Sequence, residues 1–362
     1  DKDGCGLVQL RESYDIEEMY GDNYGYRTGL NPSMTKHIES KILRILDENT
    51  PEKGDLIIDI GSNDATALKT YPQNIYQLVG IDPTGLKFKD YYPPSIQLIP
   101  DFFTADGVKK EFGDKKAKFI TSFSMFYDLE DPSGFAKDIE NVLHDEGIWV
   151  FEQSYLPSMI ETNSFDTICH EHLEFYSLKQ IMYIAEKAGL KIIDVELNDI
   201  NGGSFSIVAA KKNSNRKPNE RLINNMLKKE VEMGLDGIEV FTSFFERVET
   251  QKNNLLNFLK EVKSSNKKIF GLGASTKGNV LLQYYNIGPD LLPAIADVNE
   301  DKFNKFTPGS LIPIIPESLA LEQKPDYFLV LPWHFRDFFI SNPAFKGTTL
   351  VFPLPELTII KV

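Results

Sequence analysis

The sequence predicts an α/β protein made of two doubly wound units in tandem, the second smaller than the first. Three observations carry this. Residues 54–210 alternate strand-like and helix-like patterns; that run ends in two strands joined by the short stretch NDINGG; and a fresh strand–glycine turn–helix pattern starts at Lys268. Alternating βα units argue for a parallel sheet with helices on both faces. A short loop between neighbouring strands makes a hairpin, so the last strand of the first unit should run antiparallel.

Taken in order, the strands of the first unit are expected at Leu56–Ile60, Gln77–Asp82, Gln97–Ile99, Lys118–Phe123, Gly147–Glu152, Lys191–Leu197 and Ser204–Ala210. Helical periodicity falls at about Ser33–Glu48, Asp131–Leu143 and Leu178–Ala188. Seven strands closed by a reversed hairpin form the layout of a class I methyltransferase sheet. Residues 215 to about 263 are polar and helical, a connector. The second unit follows in KIFGLGASTKGN, LPAIADVNE, PDYFLVLPW and TTLVFPLP, a smaller Rossmann-like α/β domain. The expected division is 1–32 as an N-terminal arm, 33–212 as the first α/β domain, 213–265 as the connector and 266–362 as the second α/β domain.

At 362 residues the chain exceeds one ordinary core, which agrees with two domains. A net charge of −14 disfavours nucleic acid and anionic membrane as partners, because phosphate contacts need clustered Lys and Arg. Small phosphorylated ligands stay open, since a few backbone amides can hold them. No apolar run approaches the roughly 18 residues of a membrane span. The two cysteines, Cys5 and Cys169, give no disulfide framework, and a reducing cytoplasm is expected. The opening Asp-Lys-Asp-Gly-Cys is neither signal peptide nor initiator methionine, and reads as a chain cut from something longer. The oligomeric state is not legible.

Ligands of open α/β sheets sit outside the carboxyl ends of the strands. In LIIDIGSNDATAL the first strand ends in Asp59 and turns at Gly61, and the next strand ends in Asp82. Gly61, Ser62 and Asn63 should cradle the amino-acid end of a nucleoside cofactor, with Asp59 beside them. Asp82 should hold its ribose, and Asp101 and Phe102 should flank its adenine. Ser122, at the end of the fourth strand, is counted with them. Asp64 stands where a dinucleotide fingerprint would have glycine, which weakens a pyrophosphate reading and suits S-adenosylmethionine, a cofactor without phosphate. In the second unit Gly271, Gly273 and Gly278 form another glycine turn, with Asp297 ending the following strand. Alone this is a moderate dinucleotide signal. Gln153, at the end of the fifth strand, is assigned to the substrate.

CHEHLEFYS, residues 169–177, sets two of the five histidines around a carboxylate. Three consecutive residues cannot aim at one metal from a regular helix or strand, so a metal centre there is disfavoured.

These stretches, with CGLVQL, YGDNYGYRTGLNPSM, GIDPTG, NGGSFSI and LPW in one order, resemble the S-adenosylmethionine-dependent nucleotide-sugar C-methyltransferases of deoxysugar biosynthesis. The resemblance runs from Cys5 to about Leu357. It implies an N-terminal module holding structural zinc through four cysteines, a central S-adenosylmethionine domain, and a C-terminal Rossmann-like domain for the nucleotide sugar. Cys5 matches the last zinc cysteine. Its three partners are missing, so an upstream segment is expected to be lacking and zinc to belong to the full-length protein alone.

The resemblance makes His172 the base that removes a proton from the carbon beside the sugar's 4-keto group, with Glu171 bonding the sugar or orienting a neighbour. His170 is placed near the substrate. Relatives often carry tyrosine at Cys169 and histidine near Asp128; here Asp128 and Tyr127 are expected to take over those functions. Tyr24 is placed over the catalytic centre and Tyr26 at the substrate. Ser275, Thr276 and Lys277 are assigned to the diphosphate, and Trp333, with His334, to the base or sugar. Alternatives are O- or N-methylation of a nucleotide sugar, a nicotinamide-dependent sugar oxidoreductase using GLGASTKGN, and a non-catalytic sugar-nucleotide-binding protein.

Overall fold

The computed structural model describes residues 6–15, 19–20 and 25–362. The chain forms two compact units: Asp1–Leu156 with His170–Glu232, and Pro157–Cys169 with Met233–Val362.

The strands of the first unit are β1 (Val8–Gln9), β2 (Leu56–Ile60), β3 (Gln77–Ile81), β4 (Ile96–Ile99), β5 (Ala117–Phe123), β6 (Leu143–Ser154), β7 (Glu174–Phe175), β8 (Leu190–Asn198) and β9 (Ser204–Lys211). Seven of them form one sheet in the order β4-β3-β2-β5-β6-β9-β8. Every pair is parallel except those of β9, which runs antiparallel to both β6 and β8, the reversal that NDINGG predicts. Both faces of the sheet are covered, which is why LIIDI reads as a continuous apolar run. Alternate side chains go to opposite faces. Leu56, Ile58 and Ile60 pack with Ile139 and Ile181, whereas Ile57 packs with Met34, Ile38 and Ile42 of the helix Pro32–Glu48. That helix starts at Asn31, whose side chain accepts from the N–H groups of Ser33 and Met34.

The chain leaves the sheet centre at β2 for β3 and β4, then returns to β5 on the other side of β2. This reversal opens a crevice at the carboxyl ends of β2 and β5.

Two features depart from the expected elements. β6 starts at Leu143, directly after the helix Pro132–Val142, with its pairing to β5 shifted between Ala117 and Phe119; the polar HDE that follows hides this start. β1 and β7 form a separate two-stranded ladder, with Val8 opposite Phe175 and Gln9 opposite Glu174.

The second unit contains β10 (Ile269–Leu272), β11 (Ile295–Asp297), β12 (Ile314–Pro316), β13 (Tyr327–Val330), β14 (Thr349–Phe352) and β15 (Thr358–Lys361). They form a six-stranded sheet, β12-β11-β10-β13-β14-β15, parallel except at the β14–β15 edge. Residues expected to be a helical connector divide between the units. The helix Glu220–Met233 ends at the first, with Ile223 and Met226 in its core, and the helix Glu239–Ser264 belongs to the second. Residues 157–169 also join the second unit. Phe165 stacks on Tyr285 at 5.1 Å, and Arg247 donates to Asn163 Oδ1 at 2.9 Å and to Ile160 O at 2.8 Å. Among the described residues no helix is long and apolar enough to cross a membrane.

Candidate functional site

A cavity of about 220 Å³ lies at the carboxyl ends of β2, β3, β5 and β6, entirely within the first unit. Its floor is the turn after β2. Gly61 takes φ +70°, and a Cβ there would stand 3.3 Å from Met125 Cγ. Asn63 and Ala65 follow at φ 48° and 61°. Asp82, at the end of β3, stabilises this left-handed stretch: its Oδ2 accepts the Asn63 N–H at 2.7 Å, and its Oδ1 accepts the N–H and hydroxyl of Thr84 at 2.7 and 2.6 Å. A carboxylate offers about four acceptor sites, so one remains for a ligand.

Asn63 and Asp64 serve the segment before the first long helix. Asn63 Oδ1 accepts from Thr28 N at 2.9 Å, its Nδ2 donates to Tyr26 O at 3.1 Å, and Asp64 Oδ2 accepts from Gly29 N at 3.1 Å. Asp64, odd for a dinucleotide turn, therefore works as a clasp. Through it, Tyr26 and Thr28 become a wall of the cavity.

The rim opposite is the turn Phe126–Asp128 after β5. Tyr20 donates to Asp128 Oδ2 at 3.1 Å and meets Phe102 edge-on at 6.5 Å. The segment HEHLEFYS is pinned to this turn. Leu173 N donates to Tyr127 O at 2.8 Å, Leu10 N donates to Leu173 O at 2.8 Å, and β1 pairs with β7 just beyond. The pinning sets the His172 ring 4.2 Å from the Tyr127 ring.

Of the residues expected at the site, Asp59, Gly61, Ser62, Asn63, Asp82, Phe102, Asp128 and Tyr26 line this one cavity. Glu171 and His172 are half-buried and tied to its rim, while Asp101 and His170 are exposed. Ser122, expected at the cofactor, is instead buried and accepts the Trp149 indole N–H at 3.0 Å, because its side chain points into the sheet's packed face. Gln153 is buried, and neither amide atom has a partner among the described residues. Tyr24 and Cys5 lie outside the described residues.

The cavity is acidic in an unusual way. Burial pushes the Asp59 carboxyl up to about 7, against a bond from the Thr121 hydroxyl at 2.5 Å, with nearby Asp82 adding to the rise. Burial also pushes Asp128 well above the usual carboxylate range, Tyr20 opposes this, and Glu171 and Glu174 add to it. Glu171 is raised by burial, and Glu174 rises to about 8 through burial and Glu130.

The sequence reading missed Glu152 and His37. Glu152 lines the cavity from β6, and its Oε1 lies 2.5 Å from His37 Nε2 on the helix Pro32–Glu48. Lys41, one turn on, reaches Glu152 at 3.4 Å and Glu196 at 2.8 Å, and Asn198 donates to Glu152 Oε2 at 2.9 Å. A polar strand end and a histidine on the helix's buried stripe were the available signals.

In the second unit the glycine turn is satisfied from within. Ala274 N donates to Asp297 Oδ2 at 2.8 Å, Lys302 bonds Ala274 O at 2.9 Å, and the Ser275 hydroxyl caps its helix through Gly278 N at 3.0 Å. Thr276 is exposed. Trp333, expected against the substrate, is buried and gives its N–H to Asp166 at 2.8 Å. Lys277 acts on Asp166 and His334 there; burial and that cation hold the His334 imidazole down at about 3.

A sheet of this strand order, with a cavity over the carboxyl ends of its central strands, defines a class I methyltransferase fold. A family model described as a methyltransferase domain matches residues 33–195, and one described as the C-methyltransferase C-terminal domain matches 199–355. The chain is 27% identical over 361 residues to the C-methyltransferase NovU of Streptomyces niveus, covering 98% of this chain and 85% of that one. Solved structures with similarity include an S-adenosylmethionine-dependent methyltransferase from Clostridium acetobutylicum, with TM-score 0.38 and 11% identity, over 49% of this chain and 92% of that chain. Another is the magnesium protoporphyrin IX methyltransferase of Synechocystis, with TM-score 0.37 and 13% identity, over 54% and 91%. Together these matches make the chain an S-adenosylmethionine-dependent methyltransferase that is similar to the C-methyltransferases.

Proposed function

We propose that the protein methylates a carbon beside the carbonyl of a nucleotide-linked keto-sugar, with His172 as the base. One observation carries this reading: the turn that forms the cavity rim also holds the His172 ring, through Tyr127 at 4.2 Å. The base thus stands next to the cofactor crevice rather than inside it, which is where an acceptor has to approach.

The lining of the cavity suits the chemistry of S-adenosylmethionine. Gly61 leaves backbone exposed at the turn, Phe102 offers an aromatic face that is 48% exposed, Asp82 keeps one acceptor site, and Met34, Ile38 and Ile60 supply apolar wall. Asp59, Gly61 and Ser62 are assigned to its amino-acid half, and Asp82 and Phe102 to its adenosine half. When bound, the cofactor supplies an electrophilic methyl group on sulfur.

The remaining work falls to the chain. A proton on carbon beside a ketone is weakly acidic, and a base that titrates near neutrality suits its removal. The Tyr127 ring and the β1–β7 ladder fix the imidazole's place. The keto-sugar itself rests on the sequence resemblance, and the carbon acceptor is supported by the name of the Streptomyces relative.

The test is to incubate the protein with isotopically labelled S-adenosylmethionine and a panel of dTDP-, GDP- and CDP-linked 4-ketosugars. Product mass spectrometry should find a labelled methyl on sugar carbon. Label on oxygen or nitrogen, or on none of the panel, would refute the reading.

A further inference from the structure

We propose that Asp128 acts as a neutral carboxylic acid whose Oδ1 hydrogen donates to the carbonyl oxygen of the methyl acceptor. This rests on the keto-sugar reading and adds a second chemical group to it.

The geometry gives the two carboxyl oxygens different fates. Oδ2 accepts from the Tyr20 hydroxyl at 3.1 Å, so an acid proton belongs on the other oxygen. Oδ1 is buried and has no partner among the described residues, while Asp128 itself lines the cavity. A buried polar atom left unpaired needs an explanation, and a ligand atom is one. Because the free oxygen would carry a hydrogen, its ligand must accept, as a carbonyl oxygen does and an ammonium does not.

Apart from the Tyr20 bond, the surroundings favour the neutral form. Tyr14 donates to the backbone oxygens of Asp128 and Glu171, at 3.3 and 3.4 Å, and its own phenol is pushed up to about 12. Glu171 and Glu174 face Asp128 across the rim, and both are themselves raised by burial. Glu174 repeats the pattern, being buried with its Oε2 unpaired among the described residues. Among the described residues no lysine or arginine is among the groups acting on Asp128. A second charge in this carboxyl group would be costly, so protons are retained.

The chemistry then balances without a further reagent. As His172 takes the proton from carbon, the C–H electron pair moves to form the enolate and charge collects on the carbonyl oxygen. Asp128 keeps its own proton and bonds that oxygen more strongly as the charge grows. A carboxylic acid kept neutral in an apolar site for this purpose has precedent in proton-abstracting enzymes.

Two measurements on the full chain decide it. Difference infrared spectroscopy at pH 7, wild type minus Asp128→Asn, should show the C=O band of a protonated carboxyl that moves in D2O. Its absence means an ionised Asp128 and overturns the proposal whatever the acceptor. In D2O, with a dTDP-linked 4-keto-6-deoxyhexose as probe, NMR should follow exchange of the proton beside the ketone. Asp128→Ala should slow exchange by about 10²–10³-fold, the usual effect of removing one such donor. Asp128→Asn, which keeps an N–H donor, should stay within about tenfold of wild type. Exchange in Asp128→Ala at the wild-type rate overturns the proposal. A wild-type protein that exchanges no ketose counts against the keto-sugar reading instead, and the infrared band then rules on Asp128 by itself.

Discussion

His37 Nε2 stands 2.5 Å from Glu152 Oε1, joining the first long helix to the fifth strand of the large sheet at the wall of the cavity. Glu152 is 4% exposed and also holds Lys41 and Asn198, so three donors converge on one buried carboxylate. Removing one member of a buried ionic group leaves its partners uncompensated, a loss of roughly 3–5 kcal/mol. Glu152→Ala should therefore lower unfolding stability in urea by about that amount. Glu196, the other partner of Lys41, is 40% exposed, and solvent screening limits its replacement by alanine to about 1 kcal/mol or less. Equal effects of the two changes would mean that the Glu152 cluster is no tighter than a surface pair.

The raised carboxyl of Asp59 makes a prediction about pH. In the folded chain it holds its proton up to about 7, against 3.8 ordinarily, so between those values the folded state binds more protons than the unfolded one. The stability that Asp59 contributes is thus full below about 3.8 and is lost as pH rises toward 7. A shift of that size corresponds to something on the order of 4 kcal/mol. Asp59→Asn keeps an acceptor for Thr121 and removes the slope. Urea titrations should find the variant more stable than wild type at pH 8 and level with it near pH 4. The idea fails if the variant shows the same deficit at both pH values.

Much of this arrangement could be read from the residues, and the losses have physical causes. LIIDI predicts β2 with its observed bounds because a strand buried on both faces needs no phase. At the end of β6 phase matters: Glu152 and Gln153 are both polar, and sequence does not say which faces the cavity. β1 and β7 are two residues each, too short to show alternation. His37 was recoverable in principle, since Met34, Ile38, Lys41 and Ile45 mark the buried stripe beside it. Nothing local shows that residues 157–169 pack with the second unit, because Phe165 and Asn163 find partners more than eighty positions away.

His172→Ala separates chemistry from binding. Loss of a general base typically costs 10²–10⁴-fold. Methyl transfer should drop by at least about a hundredfold, while calorimetry should show cofactor affinity unchanged, because His172 touches the rim turn and does not line the cavity. Turnover at the wild-type level would remove His172 from the mechanism. A parallel loss of cofactor binding would assign it to holding the rim.

Asp82 and Asp297 make the last comparison, since each end-of-strand aspartate braces a glycine turn. Asp82 accepts from Asn63 N and from Thr84 twice; Asp297 accepts from Ala274 N and Asn299 N, each at 2.8 Å, and from Lys302. Bonds to a charged acceptor are worth about 1.5–3 kcal/mol each, so Asp→Ala at either position should lower the melting temperature. The two differ in what else they do. Asp82 lines the cavity with one acceptor site left over, whereas Asp297 does not line it. Losing one charged bond to ribose weakens binding about ten- to a hundredfold. Calorimetry with S-adenosylhomocysteine should record that loss for Asp82→Ala and an unchanged affinity for Asp297→Ala. Equal affinities in the two variants would leave Asp82 as a brace for the turn and nothing more.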